Sequence, residues 1–228
     1  MQYTFEDVKP LLISLNEAGY QAYLTGGSVR DHLLYGNFND IDITTDAKPL
    51  EIATVFNNKR YDKFAAKFGT FKGVIMGLPV EITTLRMESG YVKYRHPSNV
   101  SFIKDPELDS KRRDLTINAM YLDQFGTLLD YHGGQKDLDN KLLRLIGNPY
   151  ERLEEDPVRI LRLIRFQLEF NFKIEEETEK AMLDKSQLVD EISSERQKME
   201  LQKFLKIAKP SEIEVAFKKY QIEVSTKL

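Results

Sequence analysis

The stretch from residue 24 to residue 46 constrains the fold and the chemistry of this chain more than any other part of its sequence. Gly26 and Gly27 stand directly before a helical pattern, and glycine at such a turn lets the backbone come close to a ligand. Free N–H groups at the start of the helix can bind phosphate oxygens, helped by the helix dipole. Arg30 lies one turn into the helix, where its fork of donors can hold the same phosphates. These features predict a phosphate-binding turn.

A strand pattern with two acidic residues follows this turn. Asp40 and Asp42 alternate with Ile41 and Ile43, which places both carboxylates on one face of the strand. Neighbouring carboxylates repel each other unless a cation neutralises them, and oxygen ligands beside bound phosphate suit Mg²⁺. The combined unit predicts a nucleotide–magnesium site built for phosphoryl chemistry, with Asp40 and Asp42 as catalytic residues and metal ligands. The simpler interpretation is a tight turn followed by a solvated strand edge.

Four segments of the chain resemble motifs of one superfamily. The sequences Gly-Gly-Ser-Val-Arg-Asp and Asp-Ile-Asp-Ile-Thr-Thr resemble the first motif of class II tRNA nucleotidyltransferases, the CCA-adding enzymes. Bacterial poly(A) polymerases of the same superfamily carry a very similar motif. Residues 112–120, 128–138 and 155–159 resemble the second, third and fourth motifs. The resemblance implies a nucleotidyltransferase head followed by a helical neck.

The second and third motifs supply further candidate residues. Arg113 is expected to contact the triphosphate or the sugar, and Asp114 to cap or pair within the fold. The third motif reads Asp-Tyr-His-Gly-Gly where the family usually has Asp-Pro-Phe-Gly-Gly, but its Asp and both glycines remain. Its role is expected to be structural, bridging head and neck.

The fourth motif opens a strongly amphipathic helix. Arg159, Arg162 and Arg165 recur every three residues and predict a basic ridge opposite a buried apolar stripe. The resemblance implies that these arginines bind the nucleotide and that Asp156 and Arg159 recognise its base. Cytosine and adenine each offer an amine to a carboxylate and a ring nitrogen to a guanidinium. The alternative is that Asp156 caps its helix and Arg159 pairs with a nearby acid.

Two other segments bear on the site. Residues 70–76 and 79–85 read as a hairpin, in which Glu81 is either a third metal ligand or a solvent-facing acid. Residues 86–110 are polar and contain the breakers Pro97 and Pro106, which predicts a long functional loop.

Composition narrows the function class. The 228 residues have no cysteine and a net charge of −3, which argues against a broadly basic nucleic-acid wrapper. Two local basic clusters, residues 111–113 and the three arginines of the fourth motif, confine the expected RNA contact to one face. The lack of cysteine fits a reducing cytoplasm, and no apolar run approaches a membrane span.

The sequence thus predicts an α+β nucleotidyltransferase head with a mixed sheet of about five strands at residues 1–145. A helical neck at 146–208 and the start of a truncated helical body at 209–228 are expected to follow. The expected reaction transfers CMP and AMP from CTP and ATP to the 3′ end of tRNA. CC-adding, A-adding and poly(A) polymerase activities share these motifs and stay open. The alternative of another class is a catalytically weak nucleotide- or RNA-binding module.

Overall fold

The computed structural model describes residues 1–92 and 96–223, and the chain divides into two compact units. Unit 1 comprises Met1–Glu88, Val100–Arg113 and Ile117–Gln135. Unit 2 comprises Ser89–Asn99, Asp114–Thr116 and Lys136–Leu228. No helix in the described ranges is both long and apolar enough to cross a membrane.

The first part of the chain alternates short helices and strands. Its elements are α1 (Phe5–Glu17), β1 (Ala22–Thr25), α2 (Gly27–Tyr35), β2 (Ile41–Thr45), α3 (Pro49–Val55), α4 (Lys63–Ala66), β3 (Thr70–Ile75), β4 (Leu78–Thr84), β5 (Arg86–Val92), β6 (His96–Phe102), α5 (Pro106–Ser110), a 3-10 turn (Thr116–Asn118), β7 (Met120–Leu122), β8 (Leu128–Asp130) and α6 (Gly134–Asp139).

Six of these strands form one sheet in the order β3-β4-β2-β1-β7-β8. Only the β2–β4 pair is parallel, and the other four pairs are antiparallel. The predicted α+β class and mixed sheet are therefore confirmed, with six strands instead of about five. A 3-10 turn and then strand β7 follow Arg113. The run Met120–Leu122 is buried, and its Tyr121 and Leu122 pair with Thr25 and Leu24 of β1.

The core of unit 1 lies where α1 packs on β1. Val8, Leu11, Leu12 and Leu15 recur at helical spacing on α1, and none of them is exposed to solvent. Leu24 of β1 is equally buried. This packing fixes β1, and with it the turn into α2 at the end of that strand.

The expectation of an irregular loop over residues 86–110 is wrong. This segment forms β5 and β6, which pair in a two-stranded sheet, and then α5. Pro97 lies within β6, and both strands of a two-stranded sheet are edge strands, where proline is tolerated. Asp105 accepts a hydrogen bond from the Glu107 backbone N–H and so begins α5. Residues 93–95, which belong to that expected loop, lie outside the described range.

Unit 2 is mainly helical. Its further elements are β9 (Leu142–Leu143), α7 (Pro149–Glu155), α8 (Val158–Phe170), β10 (Lys173–Ile174), α9 (Glu176–Asp184), a 3-10 helix (Ser186–Glu191), α10 (Ser194–Phe204) and α11 (Pro210–Lys219). The predicted buried stripe on α8 is confirmed, because Ile160, Leu161, Leu163 and Ile164 have no exposed surface.

Candidate active site

The Gly26–Gly27 turn lies at the end of β1, where α2 begins. Gly26 has φ +65°, a backbone conformation that residues other than glycine rarely adopt. A Cβ atom at Gly26 would lie 3.5 Å from Arg113 Nη1 and 3.9 Å from Asp42 Oδ2. The turn therefore brings backbone close to an acidic and a basic candidate residue at once.

Ser28 holds the acidic strand against this turn. Its hydroxyl donates to the Asp40 carbonyl oxygen at 2.8 Å and accepts from the Asp42 backbone N–H at 2.9 Å. Ser28 is only 2% exposed, so water does not replace these bonds readily. The serine thus fixes the backbone of Asp40 and Asp42, the two residues that carry the candidate carboxylates.

We expect Ser28→Ala to leave both backbone groups without their partner and to lower stability by about 1–3 kcal/mol. Incorporation of nucleotide should fall more than nucleotide affinity, since the acidic residues move and the glycine turn does not. Urea unfolding and steady-state kinetics test both effects. Ser14→Ala is the matched control, because among the described residues the Ser14 hydroxyl bonds to the Pro10 carbonyl of its own helix and to no other element. Equal stability of the two variants would contradict this role.

A cleft of about 250 Å³ lies beside the turn and is lined by acidic and basic side chains. Its lining residues are Thr25, Gly26, Asp42, Ile43, Thr70, Glu81, Thr83, Arg86, Arg112 and Arg113. We call this the unit 1 cleft. Of the residues expected to form the site, it brings together Gly26, Asp42, Glu81 and Arg113.

The acidic side of the cleft is built by two parallel strands. Asp42 of β2 is in register with Glu81 of β4, so their side chains share one face of the sheet. Burial, followed by the charges of Glu81 and Asp40, raises the pKa of Asp42 to about 6. Asp40 itself is exposed and precedes β2. Glu81 also accepts a hydrogen bond from Lys72 Nζ at 3.2 Å.

The basic side of the cleft is held by one buried acid, Asp109. Its Oδ1 accepts from the Arg86 backbone N–H and from Arg112 Nε, at 3.1 and 2.8 Å. Its Oδ2 accepts from Arg113 Nη2 at 3.2 Å and from the Tyr121 hydroxyl at 2.9 Å. Burial alone would raise the pKa of Asp109, but the guanidiniums of Arg112 and Arg113 hold it below its ordinary value. Asp109 therefore stays charged and fixes the arginines at the cleft.

Arg30 lies behind the turn and is 7% exposed. Its Nε donates to Asp31 Oδ1 at 2.8 Å and its Nη1 to Asn118 Oδ1 at 2.7 Å. A Cβ atom on Gly27 would lie 3.4 Å from Arg30 Nη2. The guanidinium thus supports the turn from inside the fold, and a direct phosphate contact by Arg30 stays a prediction.

The residues expected to read the base lie in unit 2. Asp156 ends α7; it accepts two hydrogen bonds from Arg196 Nη2, both at 2.8 Å, and one from the Val158 backbone N–H at 3.2 Å. Arg159 donates to Glu155 Oε2 at 3.0 Å. The expected helix start is shifted by one residue, because Pro157 takes the N-cap position and α8 begins at Val158.

The three arginines of the expected basic ridge are paired with acids instead of forming an open basic surface. Arg159 and Arg165 are 7% and 9% exposed, and both are ion-paired with acids. Arg162 Nη2 lies 2.6 Å from Asp114 Oδ2, which confirms that Asp114 pairs within the fold. The other expected basic cluster is similar, since Arg112 and Arg113 are paired with Asp109. Hydrophobic periodicity could not reveal these acids, because several are distant in sequence.

Sequence reasoning missed Ser28 and Asp109. Asp109 lies three and four residues before Arg112 and Arg113, a spacing that brings side chains together on a helix. That signal was masked because the segment was interpreted as a loop. Ser28 gave no such signal, since its two partners are backbone groups on another element.

Comparisons with known proteins agree with this geometry. Residues 22–144 match the family described as the Poly A polymerase head domain, and residues 171–218 match a probable RNA and SrmB-binding site of polymerase A. The chain belongs to the Poly A polymerase head domain family, within the superfamily of class II tRNA nucleotidyltransferases and bacterial poly(A) polymerases.

Individual relatives extend the comparison. The CCA-adding enzyme of Bacillus subtilis is 42% identical over 205 residues, which are 90% of this chain and 51% of the relative. The Bacillus stearothermophilus CCA-adding enzyme in complex with CTP superposes with TM-score 0.79 at 34% identity, covering 88% of this chain and 48% of that one. For the Thermotoga maritima CCA-adding enzyme complexed with tRNA, the TM-score is 0.76 at 29% identity, with 95% and 50% covered. The chain spans about half the length of the curated relatives it matches.

Proposed function

We propose that this chain is the head and neck of a template-independent nucleotidyltransferase that adds CMP and AMP from CTP and ATP to the 3′ end of tRNA, releasing pyrophosphate. The observation that carries the proposal is the unit 1 cleft of about 250 Å³, which Asp42 and Glu81 line together with Arg86, Arg112 and Arg113. A triphosphate needs cationic donors, and metal ions at its phosphates need oxygen ligands. The similarity to CCA-adding enzymes supports this particular reaction.

The donor set of the cleft fits two magnesium ions. Burial, followed by the charges of Glu81 and Asp40, raises the pKa of Asp42, and a bound cation would offset these effects. We propose Asp40 and Asp42 as ligands and Glu81 as a third. Among the described residues no three such side chains form a complete metal cluster, so phosphate oxygens and water would fill the remaining positions. Bound Mg²⁺ supplies a lowered pKa at the RNA 3′-hydroxyl and charge neutralisation at the leaving pyrophosphate.

The chain's own residues position the reactants. Backbone N–H groups after Gly26 and Gly27 would bind phosphate oxygens, and Arg113 would neutralise the triphosphate from the opposite side. Asp109 holds that arginine in place, which means that little reorganisation is needed when the nucleotide binds. Positioning and preorganised charge would provide most of the rate enhancement.

Base selection is proposed for unit 2, where Asp156 and Arg159 lie three residues apart and Arg162 and Arg165 continue the basic series. Asp156 is held by Arg196 and Arg159 by Glu155. Their direction is thus fixed before any nucleotide binds, as recognition by hydrogen bonds requires. Guanine and uracil present a carbonyl where cytosine and adenine have an amine, so Asp156 would meet a second acceptor.

We expect Asp156→Ala to reduce the preference for CTP and ATP over UTP and GTP by about tenfold to a hundredfold, since an unmatched buried polar contact costs about 1–3 kcal/mol. Competition between labelled nucleotides measures the preference. Arg196→Ala is the matched control, because it breaks the same ion pair and keeps the carboxylate. If both variants lose equal stability and keep the preference, Asp156 is only structural.

The reaction itself is tested by release of pyrophosphate. Wild-type protein should release pyrophosphate from CTP or ATP only when RNA and Mg²⁺ are both present, and far more slowly from UTP or GTP. Nucleotide binding without any release under these conditions would instead support a weak binding module.

The proposal includes the domain boundaries and the cellular compartment. We place the head at residues 1–145, the neck at 146–208 and the start of a body at 209–228, in a cytoplasmic protein. CC-adding, A-adding and poly(A)-polymerase activities differ from the proposed reaction in their products and are distinguished by sequencing those products.

A further inference from the structure

A positively charged segment of unit 1 adjoins the site described above, and only its last residues, Thr70 and Lys72, contribute to that site. Residues 59–72 contain five basic residues and one acidic residue, a net charge of +4 in a chain whose net charge is −3. The segment includes α4 and the start of β3, at one edge of the six-stranded sheet. We call this segment and the adjoining Phe102 the α4 surface.

The basic side chains of the α4 surface are available to a ligand. Lys59, Arg60, Lys63 and Lys67 are all exposed, and none of them forms an ion pair with another described residue. Lys63 Nζ lies over the Tyr61 ring, 3.6 Å from its centroid, a contact that leaves its charge without a counter-ion. Only Lys72 is paired, with Glu81 at 3.2 Å. These cations differ from the arginines of the fourth motif, whose charges are neutralised by neighbouring acids.

Aromatic rings are exposed among these cations. Phe64 and Phe68 are 70% and 60% exposed, and their centroids lie 5.3 Å apart in an edge-to-face arrangement. Phe102 is 45% exposed and is packed so closely on Gly69 that a Cβ atom there would lie 2.6 Å from its ring. Exposed rings among cations are the combination that binds single-stranded nucleic acid, since bases stack on the rings while cations contact phosphates.

The α4 surface borders the unit 1 cleft. Arg86 lines the cleft and donates from Nη1 to the Phe68 carbonyl oxygen at 3.2 Å. Thr70, two residues after Phe68, also lines the cleft, and Lys72 pairs with the cleft residue Glu81. A polymer whose end enters the cleft therefore has these rings and cations directly outside it.

We propose that the α4 surface binds the acceptor RNA next to its reacting 3′ end, with Phe64 and Phe68 stacking on bases and the lysines contacting phosphates. The proposal rests on the proposed function for the identity of the strand. Residues 171–218, which match the RNA-binding family model, contain nine basic and eleven acidic residues, so the head contributes positive charge that this segment lacks overall. The α4 surface adjoins the cleft in which the reacting 3′ end would lie, and this continuity favours RNA as the occupant.

Fluorescence anisotropy with a short labelled single-stranded RNA, in EDTA and without nucleotide, tests the proposal. Phe64→Ala/Phe68→Ala should weaken binding about tenfold, from the loss of base stacking. Lys63→Ala/Lys67→Ala should lower the slope of log affinity against log salt by about 1.4, because each lost single-strand phosphate contact removes about 0.7. Phe125→Ala is the matched control, since Phe125 is 80% exposed next to β7 and β8 at the opposite edge of the sheet.

The outcomes separate this proposal from the proposed function. Unchanged RNA affinity and salt slope in both double variants, while wild type still incorporates nucleotide, would overturn the α4 surface alone. Weakened RNA binding in a protein that incorporates no nucleotide would keep the surface and reject the reaction. Binding of anionic vesicles that the same substitutions abolish, with RNA affinity unchanged, would assign the surface to a membrane and overturn the proposal.

Discussion

Asp42→Asn should lower nucleotide incorporation by about a thousandfold or more while the protein stays folded. Asp42 lines the unit 1 cleft together with Arg113, and it is in register with Glu81. Metal ions stabilise the transition state by several kcal/mol, and each 1.36 kcal/mol is about a factor of ten in rate. Glu81→Gln should have a smaller effect, because Glu81 is more exposed and already paired with Lys72.

The same substitution should stabilise the metal-free protein. The pKa of Asp42 is about 6 in the folded protein and 3.8 ordinarily, so the folded state binds the proton more tightly. Stability from this residue is present below about pH 4 and lost as the pH rises through about 6. The shift corresponds to about 3 kcal/mol above that range. Asp42→Asn in EDTA should therefore unfold at higher denaturant than wild type near pH 8, with little difference near pH 4.

Magnesium provides the complementary readout. Added Mg²⁺ should raise the melting temperature of wild type and have little effect on Asp42→Asn, since binding to the folded state alone stabilises it. Near-normal incorporation by Asp42→Asn, or an equal Mg²⁺ response in both proteins, would exclude Asp42 as a metal ligand.

Asp109→Asn should cost about 3–5 kcal/mol of stability, because it leaves buried guanidiniums without their counter-charge. Affinity for the nucleotide should fall with it, since Arg112 and Arg113 lose the carboxylate that orients them at the cleft. In wild type the pKa of Asp109 lies below its ordinary value of 3.8. Its contribution is therefore present above about pH 4 and lost as the pH falls through the lowered value. Urea unfolding against pH and nucleotide titration measure both effects.

Two further variants make this test specific. Asp105→Asn keeps a good N-cap on α5 and should leave stability and nucleotide affinity almost unchanged. Tyr121→Phe removes one hydroxyl bonded to both Asp109 and Arg113, and it provides a milder change if Asp109→Asn does not fold. An Asp109→Asn protein with wild-type stability would contradict the role of Asp109 as the support of the arginines.

Short-range sequence patterns predicted the buried faces of strand β2 and helix α1. Period-two alternation placed Ile41 and Ile43 in the core and Asp42 on the cleft face, and helical spacing placed the stripe of α1. The parts that depend on tertiary contacts could not be obtained in this way. The environment of Arg165 is set by Glu200, 35 residues later, and the strand state of Met120–Leu122 by pairing with β1.

The α4 surface could not be predicted from the sequence either. Its helix has only four residues, Lys63–Ala66, too few for a hydrophobic period to be visible in the sequence. The exposure of Phe64 and Phe68 is a property of the folded chain, whereas phenylalanine in a sequence ordinarily indicates core.

Sequencing the products formed on tRNA that lacks its terminal nucleotides tests the central claim most directly. Transcripts ending at the discriminator base, at C and at CC are each offered CTP alone, ATP alone and both. The account predicts that the transcript ending at the discriminator base gains CCA when both nucleotides are present and only C residues when CTP is present alone. The transcript ending at CC should gain a single A from ATP. Long A tracts on every transcript, or no extension of any transcript, would contradict it.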